Sequence, residues 1–435
     1  MLTRLDLRGK LEAPGSERDA QLRSELPRPA MAGNPPVTAV REIIDDVRSG
    51  GDEALRRLTN RFDGVAIDDI RVPAVELEAA LRDIPPMLRE SMEEACASIL
   101  AFQRSTKPDD SRYDRDGVVV RSLWKPVESA GCYVPGGLAE YPSSVLMSVV
   151  PARVAGVERV VLAVPPDGDG NVPTSVLAAA ALSQVDEVYR VGGAQAIAAL
   201  AYGTESVAPV DVIVGPGNIY VATAKREVSG VVGVPSSFAG PSEVVVVADE
   251  TTPPEFAAID LIVQAEHGPD GLAWLITWSE EVADRVNETV ASLVARAERR
   301  NEIEATLSEG GFAVVVDDPN AAMDVANAIA PEHLQLMSVD PESLVPLVRH
   351  AGAIFAGSYA PASVGDYLAG PSHVLPVYGS ARFASALGVH DFLRSQHVVS
   401  LDEATLGRVS PHVAALATAE GLAAHALSVR MRSRP

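Results

Sequence analysis

The alternation of apolar and polar positions divides the chain into an amphipathic first quarter and a long series of buried strands and helices. Val37 to Asn60 and Val75 to Arg104 carry apolar residues at helical spacing among many charges, which predicts partly exposed helices. Leu11 to Pro36 has no period and reads as an extended tail. From Ser122 onward, short Val-rich runs alternate with Ala-rich helical stretches. Arg159–Val164, Glu187–Val191, Val210–Val214 and Glu243–Ala248 predict strands buried on both faces; Ser143–Ala155, Thr174–Leu182, Ala194–Ala201 and Asn218–Val228 predict the intervening helices. Leu272–Thr277 and Phe312–Val316 add strands around a long charged helix from about Ser279 to Leu307, and a shorter helix follows at Ala321–Ile329. The architecture this pattern implies is α/β: two open, mostly parallel sheets flanked by helices.

Composition narrows the class. The 435 residues suffice for several domains, and 47% hydrophobic with only 5% aromatic residues fits a folded Ala/Val-rich protein. Cys96 and Cys132 form neither a disulfide framework nor a zinc-finger spacing, which fits a reducing cytoplasm. No apolar run is long enough to span a bilayer. A formal net charge of -23 disfavours nucleic acid and anionic membranes as partners.

Candidate chemistry lies in turns and in the C-terminal half. Thr252-Pro253-Pro254-Glu255 reads as a helix start and Gly268-Pro269 as its stop, so Gln264 and His267 share the face of a last helical turn. All eight histidines lie from His267 onward. Tyr133-Val134-Pro135-Gly136-Gly137, Gly192-Gly193-Ala194-Gln195 and Gly215-Pro216-Gly217-Asn218 each lead from a strand toward a helix, where backbone N–H groups and the helix dipole can meet a pyrophosphate. None is a G-x-G-x-x-G fingerprint. Pro331-Glu332-His333 follows the Ala321–Ile329 helix and places a carboxylate beside an imidazole on a loop. Asp366 and His373 lie in a Gly/Pro-rich segment, and Glu420 and His425 in a terminal helical stretch. Gln264, His267, Asp366 and His425 together would make a mixed nitrogen and oxygen set suited to zinc, although spacing alone does not bring them together.

These motifs, with Ala239-Gly240-Pro241-Ser242-Glu243, His373-Val374-Leu375-Pro376 and Phe383-Ala384-Ser385-Ala386-Leu387, resemble in order and spacing those of the histidinol dehydrogenases over nearly the whole chain. The resemblance implies a zinc-dependent enzyme that oxidises L-histidinol to L-histidine through bound L-histidinaldehyde, the last step of histidine biosynthesis. Each turnover would reduce two NAD, with one zinc per subunit. Carried over by position, Gln264, His267, Asp366 and His425 would bind zinc, and Glu332 and His333 would move protons. Ser242, His373 and Glu420 would contact substrate, as would Gln264, His267, His333, Asp366 and His425; Tyr133, Gln195 and Asn218 would contact NAD. Family members are homodimers in which the terminal segment completes the partner's site.

The resemblance further implies incomplete Rossmann-like sheets with small N- and C-terminal extensions used in dimerisation. Residues 37–130 and 242–385 would form the first α/β domain, 131–241 the NAD-binding second domain, 1–36 a tail and 386–435 the C-terminal extension. Two departures stand out: Ala360-Pro361-Ala362-Ser363-Val364 replaces the usual Thr-Pro-Glu-Ser before Gly365, and Ser372 replaces an Asn. Neither alters a proposed ligand or acid/base position. A hydrolase using Glu332 to activate water, and a binding relative without turnover, are the other classes such a residue set could serve.

Overall fold

A computed structural model describes residues 1–11, 15–27, 35–136, 139–236, 240, 242–266 and 271–433, with Ser16 described for its backbone only. Along the chain run β1 (Thr3–Asp6), α1 (Gly15–Glu25), α2 (Val37–Asp63), α3 (Ala74–Asp83), α4 (Pro86–Thr106), β2 (Ser111–Arg115), β3 (Val118–Pro126) and β4 (Ser129–Tyr133). There follow α5 (Pro142–Ala155), β5 (Arg159–Val164), α6 (Thr174–Leu182), β6 (Glu187–Arg190), α7 (Gly193–Tyr202), β7 (Val212–Val214) and α8 (Ile219–Val228). The second half holds β8 (Glu243–Ala248), α9 (Pro254–Ala265), β9 (Leu272–Thr277), α10 (Glu280–Val294), α11 (Arg300–Gly310), β10 (Gly311–Val315), α12 (Pro319–Ile329) and β11 (His333–Met337). It ends with β12 (Ala353–Ala356), α13 (Ala362–Tyr367), β13 (Leu393–Ser400), α14 (Glu403–Ala419) and α15 (Ala423–Arg432).

The strands form two parallel sheets, ordered β6-β5-β4-β7 and β1-β10-β9-β8-β11-β12, and an antiparallel ribbon, β13-β3-β2. Each parallel sheet lies between helices. On the four-stranded sheet, α3 to α6 pack one face through residues such as Ile99, Leu146 and Leu177, and α2, α7 and α8 pack the other through Val40, Ile197 and Val221. On the six-stranded sheet, α1 and α12 cover one face and α9, α10 and α11 the other. This double covering explains the unbroken Val-rich runs: every residue of β8 is buried, and each fully buried valine contributes about 1.5–3 kcal/mol.

The structure revises several sequence expectations. The N-terminal tail contains an edge strand, β1, paired with β10, and the helix α1, whose Leu22, with Leu26 just past its end, enters the core under α12. Their two apolar positions are too few to stand out among the surrounding Pro, Gly and charges. Helices α2 to α4 pack their apolar faces on the four-stranded sheet. The long helix expected between Ser279 and Leu307 is two helices, α10 and α11, broken at 295–299 so that the chain turns back toward β10. Thr252 is not a helix cap: Pro253 holds that position, while the Thr252 hydroxyl donates to the Met337 carbonyl and accepts from Asp249 N–H at 3.0 Å.

Each parallel sheet has one place where the chain leaves in opposite directions. In the four-stranded sheet it lies between β4 and β7; in the six-stranded sheet it lies between β8 and β11. Open parallel sheets bind ligands at such points, ordinarily at the carboxyl ends of the strands. The four-stranded sheet follows that rule, whereas the polar residues of the six-stranded sheet gather at the amino ends of β8 and β11.

Candidate active site

The carboxyl ends of β4 and β7 open into a cavity of ≈ 1220 Å3 whose walls include Tyr133, Gln195 and Asn218. Tyr133 is the last residue of β4, and its hydroxyl accepts the Gly193 N–H at 3.1 Å, tying the strand end to the first turn of α7. Gln195, on that same turn, is buried. Asn218 caps α8, its side-chain oxygen accepting from Tyr220 N–H at 3.0 Å and Val221 N–H at 3.1 Å. The structure therefore brings Tyr133, at a strand end, to the same cavity as Gln195 and Asn218, on two helix N-termini where backbone donors and the dipole favour an anion. Gly215 is irreplaceable in this turn: its φ is +101°, and a Cβ would stand 2.0 Å from the Tyr133 carbonyl oxygen. Asp63, at the end of α2, also lines the cavity, and burial pushes its carboxyl up to about 6.

The second half-site is built at the amino ends of β8 and β11. Helix α12 ends at Ala330, a left-handed residue with φ 54°, and the chain re-enters the sheet through Pro331 and Glu332. His333 opens β11 and pairs in register with Val244 on one side and Ala353 on the other. Only Glu332 thus lies in the helix-to-strand connection where the sequence placed both residues. The Glu332 carboxylate accepts the Glu243 N–H at 3.2 Å and a hydrogen bond from Ser242, which joins the predicted substrate residue to the predicted acid/base pair.

His333 sits between two carboxylates: its Nδ1 is 3.8 Å from Glu332 Oε2, and its Nε2 is 3.6 Å from Asp366 Oδ1. Phe355 stacks on the ring with centroids 6.0 Å apart. Burial disfavours the imidazolium, but Glu332 and Asp366 outweigh it and hold the imidazole above its usual range. Burial likewise pushes the Glu332 carboxyl up, against the pull of His333. Glu332 and His333 are buried and Asp366 is half-buried, and both carboxylates stand beyond hydrogen-bond distance of the ring, so the three groups are coupled by charge.

Gln264 reaches this edge because α9 leaves the carboxyl end of β8 and returns to the amino end of β9. Its side chain is buried, and among the described residues its Nε2 has no hydrogen-bond partner. A buried amide left unsatisfied costs about 1–3 kcal/mol. That orphan is an N–H donor and calls for an acceptor; a zinc ion would take the amide oxygen of Gln264 instead, and an amide oxygen and a carboxylate such as Asp366 are donor types that zinc accepts. His267 lies outside the described residues, and among the described residues no group of three His, Cys, Asp or Glu side chains is gathered to hold a metal.

Glu420 and His425 are exposed on α14 and α15, which pack against each other through Ala414, Ala417 and Ala426. This helix pair is fastened to the β2–β3 hairpin, with Arg408 donating to the Asp116 carbonyl. His373 bridges the two sheets: Nδ1 meets the Asp366 carbonyl at 2.9 Å and Nε2 meets Ser144 Oγ, on α5, at 3.0 Å. Ser144, Phe355 and Glu243 escaped the sequence reading, since each is a common residue type in an ordinary strand or helix pattern and only tertiary contact singles it out.

A pocket of ≈ 130 Å3 joins the half-sites. Gly215, Pro216 and Gly217, from the turn before α8, share it with Ser242, Glu332 and His373. Fold and site thus define a two-lobed α/β enzyme, with an anion-favouring cavity on one sheet and a cluster of coupled carboxylates and imidazole on the other.

Residues 27–433 match the family model described as Histidinol dehydrogenase. The histidinol dehydrogenase of Synechococcus sp. is 49% identical over 399 residues, covering 91% of this chain and 92% of that protein. That of Methanothermobacter thermautotrophicus is 46% identical over 396 residues, covering 91% and 93%. The crystal structure of histidinol dehydrogenase from Elizabethkingia anophelis superposes with a TM-score of 0.92 at 32% identity, covering 99% of this chain and 98% of that one. The chain belongs to the histidinol dehydrogenase family and is an oxidoreductase.

Proposed function

We propose that the protein oxidises L-histidinol to L-histidine in two successive hydride transfers to NAD, with zinc as the resident metal, in the final step of histidine biosynthesis. The overall balance is L-histidinol, two NAD+ and one water giving L-histidine, two NADH and three protons. The observation that supports this reading is the pocket shared by the Gly215–Gly217 turn and Glu332, consistent with a dinucleotide held beside the acid/base residues.

In the first oxidation His333 takes the hydroxyl proton as hydride leaves the carbinol carbon, a role suited to an imidazole flanked by carboxylates. The aldehyde must then gain water before a second hydride can leave. Glu332, buried and raised in pKa, is the base that deprotonates that water, and the hydrogen bonds from Glu243 N–H and Ser242 aim its carboxylate. His333 is again available to accept the hydrate proton once it has released its first.

Gln264, His267, Asp366 and His425 would hold the zinc, which when bound supplies a fixed positive anchor for the imidazole and amine of the substrate. His373 and Glu420 would complete the substrate contacts, and Tyr133, Gln195 and Asn218 would receive the dinucleotide. Because Glu420 and His425 are exposed on a projecting helix pair, a second copy of the chain completes each site in this reading, making the protein a homodimer. Among the described residues no helix is long and apolar enough to cross a membrane, and the two free cysteines suit a reducing cytoplasm.

The direct test follows NADH absorbance with histidinol and NAD, before and after chelation and zinc replacement. Expected are two NADH per histidinol, loss on chelation and recovery with zinc. Zinc and substrate binding without NADH would show a binding relative, and histidinol-independent hydrolysis would favour the water-activating hydrolase.

A further inference from the structure

Asp260 is a buried carboxylate that the proposed chemistry leaves unused. It lies inside α9, is 7% exposed, and among the described residues its Oδ2 has no hydrogen-bond partner. Burial pushes its carboxyl up to about 6, a measure of how strongly this place opposes a charge. An apolar side chain would fill the same space without that cost, so fold stability alone does not call for an aspartate here.

About one turn further along α9 stands a second unpartnered group. Gln264 is 4% exposed, and its Nε2 lacks a hydrogen-bond partner among the described residues. Residues four apart on a helix share a face, with Cβ atoms about 5–6 Å apart, a spacing at which glutamine and aspartate side chains hydrogen-bond. The two atoms are opposite in sense, since Nε2 only donates and a carboxylate oxygen only accepts. The terminal torsions of both side chains are soft, so a rotation of the Gln264 amide is enough to join them.

Such a pair decides what the other prong of the amide does. Nitrogen and oxygen branch from one carbon and differ little in size, so an amide without an anchor can present either. Once Nε2 is turned back along the helix to Asp260, Oε1 is turned the other way, toward the end of α9, where a metal ligand has to be an oxygen. A carboxylate acceptor also makes that oxygen a stronger donor.

We propose that Asp260 is a positioning residue for the metal site: its carboxylate takes the Gln264 N–H and so commits the amide oxygen to the zinc. The inference rests on the zinc reading above, in which Gln264 is a ligand.

The test measures the zinc affinity of the full-length chain by competition with a chromophoric chelator, alongside the melting temperature of the metal-free form. Asp260→Leu is expected to bind zinc about 10- to 100-fold more weakly while melting no lower than the unaltered protein. Asp260→Asn, whose side-chain oxygen can still accept the Gln264 N–H, should stay within about threefold of the unaltered affinity. In a Gln264→Ala background Asp260→Leu should cause no further loss, because the carboxylate acts through that amide. Unchanged zinc affinity in Asp260→Leu, an equal loss in Asp260→Asn, or a loss that persists in the Gln264→Ala background would each overturn the proposal. If the leucine variant fails to fold, Asp260→Ala decides by the same criteria. Zinc binding that Gln264→Ala leaves untouched would instead overturn the ligand assignment on which the proposal stands.

Discussion

At the scale of single residues, the site separates two roles that adjacent positions could have shared. Glu332 and His333 follow one another in the chain, but the turn at Ala330 and the entry into β11 send their side chains to different neighbours: Glu332 toward Ser242 and Glu243, and His333 toward Asp366 and Phe355. Each can therefore be removed separately. In His333→Asn, alcohol oxidation should fall about 100- to 10,000-fold with zinc content unchanged; near-normal turnover would remove His333 as the base. In Glu332→Gln, histidinaldehyde oxidation should suffer most. Single-turnover NADH formation from histidinaldehyde measures this directly, and an unimpaired rate there would exclude Glu332 as the water activator. Glu266, a carboxylate two residues from Gln264, is exposed and caps the end of α9.

At the scale of elements, the reach of each residue is set by where helices start and strands begin. Helix α12 delivers Glu332 to the sheet edge, and Asp318 caps its start by accepting the Ala321 N–H at 2.8 Å. Asp318→Ala should cost about 0.5–2 kcal/mol of stability, read as a lower melting temperature, while kcat stays near normal because the far end of the helix is held by the β11 ladder. A large fall in kcat with unchanged stability would show that the start of the helix communicates with the site. The strand runs of β5, β6, β8, β9 and β10 were legible because parallel strands buried on both faces need continuous apolar residues. The antiparallel ribbon was not. Its strands β2 and β13 are largely exposed and polar, so no apolar alternation marks them.

At the scale of the whole molecule, the two sheets meet with opposite ends. The carboxyl ends of β4 and β7 face the amino ends of β8 and β11 across the small shared pocket, and His373 spans the junction from Asp366 to Ser144. The terminal helices carry Glu420 and His425 away on an exposed pair. If a second copy supplies them, mixing unfolded His333→Asn with unfolded His425→Ala and refolding them together should restore activity, because a heterodimer then contains one intact site. No recovery, despite heterodimers detected by mass, would place His425 in the site of its own chain.

The sequence by itself determined the α/β class, the main strand runs, and the chemical types available at Gln264, Glu332, His333, Asp366 and His373. These follow from short-range rules: periodicity, capping, and the donor and acceptor inventory of each side chain. The resemblance to a known family supplied roles for those residues that spacing could not, because residues from 264 to 366 converge only after strands and helices have reversed the chain several times. Tertiary structure alone decided that the Gly215–Gly217 turn and Glu332 share one pocket and that His333 lies between two carboxylates. The physical reason is that burial and electrostatic coupling depend on distance in space. Residues hundreds of positions apart, such as Ser144 and His373, become neighbours only when both sheets have formed and packed.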